Sequence, residues 1–347
     1  MTPRPVNLQT LSDEEAARFN AFFNMMRAET MPDDPPTPLE EHLGWWRNPS
    51  PKEWAKRFAV FDGEAVVGYT EAEWDNEDTQ NPTMCWTNVM VAPSHRRRGV
   101  GRALLTAVLE AAHADGKLKS FAATNERVPA GEAFVKLTEA KMGLEEHTNQ
   151  LLFSELDRDF VAQSIKNAPT DKFEIGWYEV AYPEEELEAL CRLFEVMNTA
   201  PRGDLEFNDW QVKPEDIRLE TEQMHKNGVQ WWMLYAKERA TGRYAGFTQT
   251  GYHVNRPHLM NQWGTGVHPD FRGHGLGAWL KSAMIDRALR ERPQVDRIRT
   301  GNADSNGPML RINHALGFKP FISRKEYQVD IPATLKKLRQ REPSVAV

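Results

Sequence analysis

The chain has 347 residues, 40% hydrophobic and 27% charged, so two domains of about 150 to 200 residues are the natural expectation. The formal net charge of −7 argues against general nucleic-acid binding, and no run nears the ~18 apolar residues of a membrane span. Cys85 and Cys191 are its two cysteines, in different halves and without Cys-x-x-Cys spacing; they suggest neither a disulfide framework nor a metal site and suit a reducing cytoplasm.

Near the start, Ser12 followed by Glu15 reads as a capping box, and no apolar run follows a basic start, so a signal peptide is not expected. The apolar helical pattern FNAFFNMMRAETMPDD then runs into an acidic, Pro-containing loop at Pro32, and a second helix follows. Strand-like runs come next, RFAVFDGEAVVGYTEAEW with a hairpin break at Asp62-Gly63, then MCWTNVMVAP. A Gly-rich turn, an apolar helix and the strand LKSFAATN lead to a short helix, read as ending at Gly143-Leu144, and to a closing strand near QLLFSEL.

After a polar stretch the same order recurs. ALCRLFEVMNTAPRGD runs into a loop at Pro201, a hairpin breaks at Thr241-Gly242, and LMNQWGTGVHP enters a second Gly-rich turn and helix. DRIRTGN, a short helix ending at Gly317-Phe318, and KEYQVDI complete the second copy. The expected organisation is therefore a domain over 1–156, a linker over 157–172, a domain over 173–333 and a solvated tail over 334–347.

The duplication is clearest at the turns, VAPSHRRRGVGRALL and VHPDFRGHGLGAWLK. Val91/Val267, Pro93/Pro269, Arg96/Arg272, Gly99/Gly275 and Gly101/Gly277 all keep an offset of 176. A strand that enters a Gly-rich turn and opens a helix is a device for holding phosphate, because unpaired amides and the helix dipole converge on the anion. The spacing R-x-x-G-x-G matches neither the dinucleotide fingerprint G-x-G-x-x-G nor a Walker loop.

V-x-P-x-x-R-x-x-G-x-G between a strand and a helix resembles the acetyl-CoA motif of the GNAT N-acetyltransferase superfamily, and the tandem architecture is similar to that of mycothiol synthase-like bacterial acetyltransferases. The resemblance implies an α/β tandem GNAT fold, each copy a mixed, mostly antiparallel sheet flanked by helices, with acetyl-CoA as co-substrate. It implies that Arg96, Arg97, Arg98, Gly99, Val100 and Gly101, and likewise Arg272, Gly273, His274, Gly275, Leu276 and Gly277, cradle the pyrophosphate. Val89, Met90 and Val91, and Thr265, Gly266 and Val267, would bond the pantetheine arm as an added strand does. Asn302 and Asn306 are expected near the thiol end, with helix capping and turn formation as the alternative for both.

Acetyl transfer to an amine needs a proton acceptor, oxyanion donors and a proton source for the thiolate. Period-two alternation puts Asn261, Trp263, Thr265 and Val267 on one face, and Cys85, Thr87, Val89 and Val91 on its counterpart. The position where many relatives carry Glu holds Asn261 or Cys85, and the position of the usual Tyr holds Asn313 or, counting back from Gly143, Glu139. Asn261, His253, Asp204 and Glu206 are the catalytic candidates, with a water relay or a base from His253, Asp204 or Glu206 to take the proton, and Asp33, Asp34, Asp204 and Glu206 could attract a cationic acceptor. The reading is an acetyl-CoA-dependent N-acetyltransferase acting on the primary amine of a small cationic molecule, with the C-terminal copy catalytic. A non-catalytic acyl-CoA sensor and a catalytic N-terminal copy are the alternatives, and monomer and homodimer are both left open.

Overall fold

The computed structural model describes residues 1–340. In chain order the elements are β1 (Arg4–Pro5), α1 (Asp13–Thr30), α2 (Leu39–Arg47), β2 (Glu53–Asp62), β3 (Ala65–Asp75), β4 (Met84–Val91), α3 (Val100–Ala114), β5 (Lys119–Asn125), α4 (Pro129–Val135) and β6 (Ala140–Leu152). They continue with α5 (Arg158–Lys166), β7 (Phe173–Glu179), α6 (Leu187–Phe194), α7 (Pro214–Lys226), β8 (Val229–Glu238), β9 (Tyr244–His253) and β10 (Leu259–Val267). The last are α8 (Leu276–Glu291), β11 (Arg297–Ala303), α9 (Gly307–Leu316), β12 (Lys319–Asp330) and α10 (Ile331–Gln340).

Local chemistry sets many of these boundaries. The capping box at α1 forms as the spacing predicts: Glu15 N donates to Ser12 Oγ at 3.3 Å and Ser12 N to Glu15 Oε2 at 2.9 Å. The β2–β3 and β8–β9 hairpins turn at Gly63 and Gly242, with φ of +59° and +70°. On α3, Val100, Leu104, Val108 and Ala112 repeat every four residues and are all buried, so the helix lies along the sheet through one stripe. On α8 the buried stripe includes Leu276, Leu280, Met284 and Ala288 and, unexpectedly, Lys281.

Two compact units result. The first comprises Met1–Glu145, Gly203–Asn208 and the chain from Arg324; the second comprises Glu146–Arg202 and Asp209–Ser323. The strand order of the first is β1-β2-β3-β4-β5-β12, and that of the second is β7-β8-β9-β10-β11-β6. Only β4–β5 and β10–β11 are parallel pairs within these series. Arg324–Asp330 of β12 pairs antiparallel with β5, and residues 146–152 of β6 pair antiparallel with β11. Each unit thus takes its sixth strand from the far side of the other repeat.

The continuous domains 1–156 and 173–333 read from the repeat accordingly differ from the units in their closing strands. The stretch 157–172, read as linker, holds α5, which Asp157 caps by accepting from Phe160 N at 2.8 Å and which buries Val161. Of the expected tail, residues up to 340 complete α10 with Leu335 and Leu338 buried, and 341–347 lie outside the described residues. Gly143 does not end a helix. α4 stops at Val135, and Gly143 sits in β6, where a Cβ would fall 2.3 Å from Leu205 Cδ2 and where its oxygen accepts from Asp204 N at 2.7 Å. Gly317, by contrast, caps α9 at φ +101°.

The first core is aromatic, with Phe19 and Tyr69 in edge contact at 6.2 Å and both essentially inaccessible. Burying one such ring contributes about 1.5–3 kcal/mol. The second core is built on α8, where Trp279, Leu280 and Ile285 pack with Trp232, Leu234 and Ile298.

Candidate functional site

In each unit the parallel pair parts midway. β4 pairs with β5 only over Met84–Trp86, and β10 with β11 only over Leu259–Asn261. From there to Val91 and Val267 the edge that faces the parallel partner makes no ladder bonds, which leaves backbone donors and acceptors for an extended ligand.

The Gly-rich turns follow directly. Arg96 Nε donates to Val91 O at 3.0 Å and Arg272 Nε to Val267 O at 3.1 Å, so each motif arginine ties the turn back to its strand. The rest of Arg96 pairs with both carboxylate oxygens of Glu29, while Arg272 donates to Thr199 Oγ1 at 2.7 Å. Both arginines therefore brace the turn. Gly99 and Gly275 hold φ of +83° and +77°, and neither α3 nor α8 has a side-chain N-cap. Open amides at a helix start favour an anion. Gly101 and Gly277 act differently, since a Cβ there would meet Phe134 Cε2 at 3.0 Å or Ile312 Cδ1 at 3.1 Å.

The two turns differ in charge. Arg97 and Arg98 are exposed and make no ion pair among the described residues, whereas their counterparts are Gly273 and His274. His274 Nδ1 lies 3.2 Å from both Phe271 O and Arg272 O.

The strands before the turns also differ. β3 and β4 stay in register from Glu73↔Trp86 to Gly68↔Val91, but β10 shifts against β9 between Gln262 and Thr265, which is a one-residue bulge. The expected single face of Asn261, Trp263, Thr265 and Val267 is therefore broken. Trp263 packs with the α6 cluster, Val267 packs with the α8 cluster, and Thr265 Oγ1 lies 2.7 Å from Thr248 Oγ1. Asn261 is the last residue of β10 paired with β11.

At the start of α9, Asn306 Oδ1 accepts from Met309 N at 3.4 Å, the capping alternative. Asn302 stands on β11 past the parting, and its Oδ1 accepts from Asn313 Nδ2 at 2.6 Å. Asn313 is fully buried and its Oδ1 accepts from Lys281 Nζ at 2.6 Å. Glu139 is exposed and bound to Lys337 at 2.8 Å; the motif register instead matches Asn313 with Leu137.

The other candidates lie elsewhere. His253 is at the end of β9 remote from the turn, and its Nδ1 accepts from Asn255 N at 3.1 Å. Asp204 and Glu206 belong to the first unit, where Glu206 pairs with Lys119 at 2.7 Å and its carboxyl is held below the usual range by that lysine. Asp33 is exposed, and Asp34 binds Arg27 at 2.7 Å.

One group carries no motif. On the α1 side of the first sheet, Tyr69 OH donates to Glu71 Oε2 at 2.7 Å, and Arg57 joins Glu71 at 3.3 Å and Glu53 at 2.6 Å. Beside them Glu73 is pushed up to about 7 by burial, then by the charges of Glu71 and Glu53, against the pull of Arg57. Glu73 pairs across the ladder with Trp86, whose ring lies 4.7 Å from Phe121. The alternation in Tyr-Thr-Glu-Ala-Glu-Trp carries the signal for this row.

The acetyltransferase (GNAT) family model matches residues 19–137 and 187–318. The chain belongs to the GNAT acetyltransferase family. It is similar to a tandem GNAT protein from the clavulanic acid biosynthesis pathway, at 24% identity and TM-score 0.79, over 95% of this chain and 98% of that one. A GCN5-related N-acetyltransferase from Sphaerobacter thermophilus matches at 13% identity and TM-score 0.66, over 95% of each chain. No curated protein matches by sequence. A tandem, two-domain GNAT fold is thus established, and the family's general chemistry is acyl transfer from an acyl-CoA. Among the described residues, no helix is long and apolar enough to cross a membrane.

Proposed function

We propose that the chain is an acetyl-CoA-dependent N-acetyltransferase whose second unit acts on the primary amine of a small, cationic molecule. The observation that carries the reading is the parting of β10 from β11 at Asn261, with a bulge in the parted stretch, beside a helix that starts uncapped after left-handed Gly275. This fits acetyl-CoA: amides at 273–277 would hold its pyrophosphate, and the free edge of Thr265–Val267 its pantetheine arm. The thioester supplies the activated acetyl group. Backbone N–H groups of the bulged stretch are the candidate oxyanion donors. Asn261 cannot take a proton, so its role would be to orient a water that removes one from the amine. Asn313 cannot donate one to the thiolate, and a thiol pKa near 8.5 makes the thiolate a fair leaving group unaided. Net charge supports the cationic acceptor only generally, since Asp34 and Glu206 are already paired. Cys85 and Cys191 are free and buried, in keeping with a cytoplasmic setting.

A second reading makes the first unit catalytic. Glu73 favours it, since a carboxyl poised near 7 beside the Trp86–Phe121 rings suits both proton removal and a cationic amine. Acetyl-CoA titration combined with free-thiol detection across a panel of primary amines tests both. Loss of turnover in Gly275→Tyr but not Glu73→Gln supports the second unit. The reverse pattern overturns it, and tight binding without amine-stimulated thiol release makes the chain a sensor.

A further inference from the structure

Lys281 is 1% exposed on the stripe of α8 that faces the core. Its Nζ donates to Asn313 Oδ1 at 2.6 Å, with Met309 Sδ at 3.9 Å and the Phe318 ring centre at 5.3 Å. No carboxylate pairs with it among the described residues, and burial alone draws it down to about 7. The charged groups on the packed elements stand off. Arg158, Asp159 and Lys166 of α5 and Arg311 and His314 of α9 are exposed; Lys237 of β8 is bound to Glu186, and Glu238 at the end of that strand accepts from Thr241 Oγ1 at 2.6 Å; and His253 of β9 is held by Asn255 N.

The first unit does without any of this. At the motif register Lys281 matches Leu105 and Asn313 matches Leu137, and both leucines pack in one apolar cluster. A lysine in such a place is destabilising where leucine would pack, so its presence calls for another explanation.

Donor and acceptor arithmetic supplies one. An ammonium only donates, which holds the Asn313 oxygen toward Lys281. The Asn313 nitrogen must then face Asn302, which turns the Asn302 oxygen inward. What remains of Asn302 is its Nδ2, on a half-buried residue beyond the parting of β10 and β11. The geometry points to Lys281 as a positioning residue that, through Asn313, fixes Asn302 with its N–H donors toward an acceptor atom at the acyl end of bound acyl-CoA. This rests on the second unit holding acyl-CoA as proposed above. Above a pH of about 7 the neutral amine can accept as well as donate, so the direction of the chain is released.

The test is a titration of the full chain with acetyl-CoA between pH 6 and 8.5, the second-unit step being the one that Gly275→Tyr removes. Lys281→Met should weaken that step at pH 6 by about tenfold, as loss of one oriented hydrogen bond does, and flatten its pH dependence. Asn313→Asp keeps a partner for Lys281 but can only accept, so Asn302 must reverse: the same weakening is expected with no fall in Tm. Asn313→Asp alone decides the matter if Lys281→Met fails to fold. Wild-type affinity and pH profile in either variant overturn the positioning role. Absence of the second-unit step in the wild-type chain overturns the cofactor reading as well, so the two failures are told apart.

Discussion

Where the second unit has Gly273 at φ +82°, the first has Arg97 at φ +62°, so one left-handed backbone carries a residue made for it in one copy and a residue strained by it in the other. Nearby, Arg97 and Arg98 add two positive charges, unpaired among the described residues, that the second turn lacks. The first turn is thus the better electrostatic trap for an anion, and the second the more relaxed fit. Past the turns the contrast reverses in kind. The second unit has the bulged β10 and the Lys281–Asn313–Asn302 chain, while the first has an unbulged β4 and Leu105 and Leu137. Under the function proposed above, copies of one motif keep the grip on a cofactor while the second alone keeps a shaped acyl end.

The sharpest way to break that contrast is at the glycines. Gly275→Tyr is expected to lower turnover by about a hundredfold or more, because a side chain at positive φ reshapes the turn proposed to hold the pyrophosphate. Gly99→Tyr should lower it by less than about threefold; equal losses in free-thiol release would erase the distinction.

Stability gives the next largest effect. Because the folded pKa of Lys281 lies below its unfolded value, the unfolded chain binds more protons from about pH 7 to 10.5, and stability rises with pH across that window. Lys281→Met should therefore stabilise the chain most below pH 7, on the order of 4 kcal/mol, with the gain fading toward pH 10.5. Denaturant titrations at pH 6 and 9.5 check this, and a gain independent of pH would refute the buried cation.

Glu73 runs the opposite way in the first unit. Its folded pKa is raised from 4.5 to about 7, so stability falls as pH rises through that interval. Glu73→Gln should recover about 1–2 kcal/mol at pH 8 and nothing at pH 4, after allowance for partial exposure. If the second unit alone catalyses, turnover stays within about twofold.

Smallest is Arg97→Gly, which relieves a left-handed residue and should add about 0.5–1 kcal/mol in thermal melts. It should also reduce the salt dependence of acetyl-CoA binding to the first unit, since one exposed charge is removed.

The parts of the fold legible in the sequence are those fixed by local backbone demands. The turns at Gly63, Gly242, Gly99 and Gly275 and the box at Ser12 each need particular residues within a few positions. The exchange of β6 and β12 was not legible, because alternation says which residues face a core and nothing about which strand lies alongside. The bulge could have been suspected from Trp263-Gly264-Thr265-Gly266, since glycine inside a strand is a common mark of one. Lys281 shares its helix face with Gly277 and Ile285 at four-residue spacing, a placement that helical periodicity alone reveals. Glu73 needed the fold, as only burial beside Glu71 and Glu53 distinguishes it from the many solvated carboxylates.

The exchanged strands also set a timetable for synthesis. β5 ends at Asn125, yet the strand that closes its edge begins pairing at Arg324, about 200 residues later. At 5–20 residues per second the first unit waits roughly 10–40 s on the ribosome with an open sheet edge. That edge is a template for any passing strand, so the nascent chain is exposed to misassembly for as long as its own last strand is unmade.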